Sequence, residues 1–111
     1  MTSTPIALLL LLAAAVLEAS GDALVRKGLY GSAAAKVGFF FAGTVVLFGY
    51  AYLVNSPKWD FGRLLGIYVV FFFVVVQLIN WLIFGVPPGW GRLTGGACIL
   101  LGGAIITFTS D

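Results

Sequence analysis

Of the 111 residues, 61% are hydrophobic and only 9% are charged, against about a quarter charged in a soluble domain. A core of this size cannot hide so many apolar side chains, so lipid must be the solvent for most of the surface. The net charge of +2 is too small to argue for nucleic acid, and a single cysteine, Cys98, with no histidine supports neither a disulfide framework nor a Cys-based metal site.

A membrane-spanning helix needs about 20 residues, and four segments qualify. The first runs from Pro5 to Arg26, with the proline suited to the first helical turn, where its missing N–H costs nothing. Its apolar stretch 6–16 has the length of a signal-peptide core. Residues 1–5 carry no Lys or Arg, however, and more membrane segments follow, so this span is expected to be retained. The second runs from Val37 to Val54 and is uncharged, ending at the turn Asn55-Ser56-Pro57-Lys58. The third covers Gly62 to Phe84 and stops at the breaker Gly85-Val86-Pro87-Pro88-Gly89. The fourth extends from Leu93 to Thr109, just short of Asp111. The expected fold is an all-α membrane protein, one four-helix transmembrane domain over residues 1–111.

Arg26, Lys27, Lys36 and Arg92 flank the first and third loops, whereas Lys58 and Arg63 lie at the second. The count favours the first and third loops in the cytoplasm. If Asp22 draws Arg26 into the membrane, the margin narrows further. A bias this small is compatible with one fixed topology or with both orientations in the same membrane.

Glu18 and Asp22 are the costly residues of the first span. An acid near the centre of a membrane helix costs roughly 2.5–3.5 kcal/mol on insertion scales, and such residues usually face a protein interior or a wet cavity. Glu18, Asp22 and Arg26 recur every four residues, so they project from roughly one face. Asp22 and Arg26 can pair near the membrane surface, which leaves Glu18 near mid-span without a cation on its own helix. Desolvation and the neighbouring acid both work against its charge. A carboxyl so poised can release a proton when a cation arrives and recapture it afterwards. The competing role is a protonated hydrogen-bond donor between helices. Ala19-Ser20-Gly21 and Ala23 around these acids predict a close approach by another helix.

In the third span, Gln77 and Asn80 lie three apart on one side, followed by Trp81. They are expected to hold helices together or to line a polar path. Tyr68, towards the other end, presents an aromatic face to which a cation could bind. Tyr30, Tyr50, Tyr52, Trp59, Trp81 and Trp90 fall mostly near span ends, as an interfacial belt does. Phe39-Phe40-Phe41 and Phe71-Phe72-Phe73 read as packing or lipid-facing residues. In the fourth span small residues recur after seven positions, Gly95/Gly102, Gly96/Gly103 and Ala97/Ala104, making a smooth stripe suited to self-association.

Taken together, these pieces resemble the small multidrug resistance family of the drug/metabolite transporter superfamily. Glu18-Ala19-Ser20-Gly21-Asp22-Ala23-Leu24-Val25-Arg26 is similar to that family's E-x-x-G-x-x-L-x-K stretch. Leu78-Ile79-Asn80-Trp81-Leu82-Ile83-Phe84-Gly85 resembles its L-L-S-W-x-F-F-G, and residues 95–106 resemble its glycine-studded fourth helix. Gly62-Arg63 with Tyr68 is similar, more faintly, to the YnfA-type relatives. The resemblance implies an antiparallel homodimer in a bacterial-type cytoplasmic membrane, with a central chamber where the first-helix glutamate binds proton and substrate in competition. By motif that role falls on Glu18. Asp22 and Tyr68 would join it, Tyr68 standing roughly where the family has a substrate-contacting tryptophan. Gly95, Gly96, Gly102 and Gly103 would form the dimer contact.

Two departures stand out. The family's G-V-G kink in the third helix is replaced by Val69-Val70-Phe71-Phe72-Phe73, and Asp22 stands where the family has a neutral small polar residue. A second acid one turn from the first fits a polar or guanidinium-like cation. The leading expectation is a proton-coupled exporter of small cationic compounds. The alternatives are a non-transporting membrane subunit that docks through its glycine stripe, and a carrier or flippase of a polar metabolite or lipid-linked sugar. No nucleophile–base pair, metal-ligand cluster or phosphate-binding glycine loop points to an enzyme, and no cofactor is implied.

Overall fold

A computed structural model describes residues 4–109, so the uncharged start at residues 1–3 and the terminal Asp111 lie outside the described residues. The described chain folds into four helices: α1 (Thr4–Leu29), α2 (Ala33–Val54), α3 (Phe61–Leu82) and α4 (Trp90–Phe108). It contains no strand among those residues. Each helix is long and apolar enough to cross a membrane. The chain is therefore an all-α, multi-pass membrane protein. Contacts divide it into two compact units, one ending at Pro57 and one beginning at Lys58. Each unit is a helical hairpin.

The helix ends follow from local chemistry. α1 continues past Arg26 to Leu29, because Arg26 and Lys27 in its last turn complement the helix dipole. With 26 residues it measures about 39 Å, longer than a hydrocarbon core of about 30 Å. Only Tyr30-Gly31-Ser32 separates it from α2. The Ser32 side chain accepts the Ala35 N–H and starts α2 four residues before the expected Val37. At the far end of α2, Asn55 Nδ2 donates to the Ala51 carbonyl and Ser56 Oγ to that of Tyr52. Asp60 caps α3 by accepting the Arg63 N–H at 3.0 Å. Gly85, at φ 72°, turns the chain out of α3, and its N–H returns to the Trp81 carbonyl. The helix thus stops at Leu82, slightly before the expected Phe84.

In the first hairpin α1 and α2 meet through glycine. A Cβ on Gly21 would lie 2.7 Å from the Leu47 side chain and 3.3 Å from its backbone nitrogen. A Cβ on Gly43 would lie 2.7 Å from Val25 and 3.2 Å from the Gly21 carbonyl oxygen. The two backbones touch there, so neither position can carry a side chain without the helices parting. Farther along, Gly28 takes the ring of Phe40 in the same way. In lipid such close packing replaces the missing hydrophobic drive between helices.

The second hairpin repeats the device with aromatic and branched partners. Gly96 of α4 receives Phe73, Gly103 receives Val70, and Gly66 of α3 receives Ile106. Arg63 then closes the open end of the hairpin. Its guanidinium donates to the carbonyls of Ile106 at 2.8 Å, Thr107 at 2.9 Å and Thr109 at 2.6 Å. These are the last carbonyls of α4, which have no partner within the helix. A cation there also answers the negative end of the helix dipole.

Candidate functional site in the first hairpin

The buried stripe of α1 consists of Ala7, Leu11, Ala14, Ala15, Ala19 and Gly21. Glu18 lies four residues beyond Ala14 and seven beyond Leu11, so it continues that stripe rather than the opposite, exposed face of Leu9, Leu12 and Val16. It stands within half a turn of the helix midpoint and is half-buried. The surrounding stripe is built mostly of alanine and glycine, which leaves room at this level for other polar groups.

Asp22 sits one turn nearer the Arg26 end and is exposed at the surface of the chain. The expected pairing with Arg26 is not made among the described residues. Arg26 instead lies over the Tyr30 ring, 5.4 Å from its centroid, beside the short first loop. The two acids of α1 therefore differ in setting: Glu18 belongs to the packed face and Asp22 to its edge.

The residue that sequence reasoning missed is Tyr50. It lies on the α2 face that packs against α1, three residues after Leu47 and seven after Gly43. It is half-buried there, next to Gly49, where a Cβ would lie 3.6 Å from the Leu17 side chain of α1 beside Glu18. Read on sequence as part of an interfacial belt, Tyr50 lies about one turn from the end of α2, on the side that packs against the acid-bearing helix α1. The Gly43, Leu47, Tyr50, Val54 spacing carried the signal, but the low polar content of α2 hid which side faced inward.

The remaining candidates belong to the second hairpin. Tyr68 is 4% exposed and stacks on Phe72 with ring centroids 6.2 Å apart. Asn80 Nδ2 reaches the Val86 carbonyl at 3.5 Å, so it helps fold the chain back after α3 rather than joining two helices. Gln77 continues the α4-facing stripe Gly66, Val70, Phe73, and its Oε1 is buried without a hydrogen-bond partner. The stripe of α4 splits in two. Gly96 and Gly103 are filled by α3 side chains, whereas Gly95 and Gly102 have nothing within 4 Å of a Cβ position.

A carboxyl on the packed face, a second at its edge and a phenol on the facing helix can hold a proton, a hydrogen-bonding cation, or each in turn. Set against known proteins, the chain matches no protein-family model, no curated protein and no solved structure.

Proposed function

We propose that the protein is a proton-coupled exporter of a small, hydrogen-bonding cation, of the small multidrug resistance type, in which Glu18 exchanges a proton for the substrate. The observation that carries this reading is the position of Glu18: near the midpoint of a membrane-length helix, on its packed face, with Asp22 one turn away and Tyr50 on the facing helix. An acid there must be neutralised, and a proton and a cation are interchangeable means of doing so. Binding one then displaces the other, which is the coupling that antiport requires.

Asp22 supports a polar cation over a bulky apolar one. An acid exposed on the outside of a single chain within a membrane span needs water or a second chain beside it. A second copy of the chain is one such neighbour, and the open Gly95 and Gly102 face of α4 suits self-association. The same open face also suits docking onto an unrelated membrane protein, the second reading. A partner copurifying at fixed stoichiometry would favour that alternative.

The test is transport by purified protein in liposomes, with guanidinium as the probe. A pH gradient should drive guanidinium flux in the wild type, and Glu18→Gln should abolish it while the protein still inserts and assembles. Flux at the wild-type rate from Glu18→Gln would remove the mechanism.

A further inference from the structure

The contacts of the first hairpin fix its register. Gly28 meets Phe40, Val25 meets Gly43 and Gly21 meets Leu47. From pair to pair α1 steps back by three and then four residues while α2 steps forward by the same amounts. That alternation is the seam of an antiparallel coiled coil. The next step, three residues along each helix, sets Glu18 opposite Tyr50. The step after it sets Ala14 opposite Val54, and these two are 0% and 2% exposed. The seam therefore runs on past Glu18 in the same register, with Leu17 against Gly49 immediately beside the Glu18–Tyr50 layer.

The other layers of this seam are built of Gly, Ala, Val, Leu and Phe, so Glu18 faces one polar side chain across it. No other residue of α2 can take that place. Thr44 is exposed, and its hydroxyl donates to the Phe40 carbonyl at 2.7 Å. Tyr52 is 70% exposed. Lys36, the one charged residue of α2, lies in its first turn, about 21 Å along the helix from Tyr50. On α1 itself, Asp22 stands at the edge of the seam and Arg26 lies over the Tyr30 ring.

Resting on the exchange role proposed for Glu18, we infer that Tyr50 is its positioning residue: the phenol hydroxyl bonds to the Glu18 carboxyl across the α1–α2 seam and holds it there with or without its proton. A hydroxyl suits both states, because it donates to a carboxylate and can donate to or accept from a carboxylic acid. An ionised carboxylate has about four lone-pair sites, so one bond from Tyr50 leaves the others for a cation. A tyrosine that only packed would fill the layer with its ring, and its hydroxyl would not matter to Glu18.

Infrared spectroscopy of the purified full-length protein reads this bond. In acidic buffer the carbonyl stretch of protonated Glu18 is the band that disappears in Glu18→Gln. A hydrogen bond lowers that frequency, so Tyr50→Phe, which keeps the ring, should move the band to higher wavenumber. Tyr52→Phe should leave it in place. Guanidinium should still release protons from Tyr50→Phe, with its affinity weakened by less than about tenfold, the worth of one hydroxyl. An unshifted band in Tyr50→Phe, an equal shift in Tyr52→Phe, or wild-type guanidinium affinity in Tyr50→Phe would each overturn the assignment. A shifted band in a protein from which guanidinium releases no protons would uphold the Glu18–Tyr50 bond and instead remove the exchange role of Glu18.

Discussion

The two hairpins are built by the same physics and hold different chemistry. In each, antiparallel helices come together where glycines of one meet side chains of the other: Gly21 and Gly43 in the first, Gly96 and Gly103 in the second. The first hairpin places Glu18 and Tyr50 on its contact and Asp22 at the edge. The second places Phe73, Val70 and one amide there, and puts its arginine at the end, on carbonyls. Packing alone therefore does not mark a functional contact. What distinguishes the first is that ionisable groups lie along the span itself, whereas in the second Arg63 sits at the helix end and satisfies three carbonyls.

That contrast can be broken at several points. Gly43→Leu should have the largest structural effect, because it pushes against the Gly21 backbone rather than a movable side chain. It should destabilise the first hairpin by about 1–3 kcal/mol or more, as overpacking does, read as loss of resistance to denaturant in detergent. Arg63→Gln comes next. Loss of charged hydrogen bonds to α4 should cost about 1–3 kcal/mol and speed amide exchange in the last turn of α4, with exchange in α1 and α2 unchanged. Uniform acceleration throughout the chain would contradict the local role.

A paired substitution sharpens the comparison within α4 itself. Gly103→Leu should disrupt the second hairpin, since Val70 already occupies the space, whereas Gly102→Leu should leave it intact and weaken only self-association in detergent. An unchanged oligomer in Gly102→Leu would place the contact between copies elsewhere. Tyr50→Phe should produce the smallest effect. Loss of one hydroxyl is worth about 1 kcal/mol, so cation affinity should change by less than tenfold, with folding preserved. No change at all would return Tyr50 to a packing role.

Much of this was legible in the residues. Hydropathy alone located four spans, because lipid demands long apolar runs with no unsatisfied backbone. Their ends were less legible, since caps such as Ser32 and Asp60 extend helices into polar sequence that a hydropathy window discards. The sign of Gly21 was readable from the small residues around it. The division of the α4 stripe was not: Gly95 and Gly96 look alike in sequence, and only the direction of α3 separates them. Arg63 was counted as a topological charge because nothing in the sequence announces that residues 43–46 positions downstream will supply its acceptors. Pairing of Asp22 with Arg26 was the natural inference from their spacing, yet Tyr30, four residues farther on, competes for the same guanidinium.

The most direct test of the account is proton release. Guanidinium added to detergent-solubilised protein in weak buffer should liberate protons from the wild type, most strongly at pH values where Glu18 is protonated, and none from Glu18→Gln. Release that is the same in both proteins would show that another group carries the exchange, and the role assigned to Glu18 would be wrong.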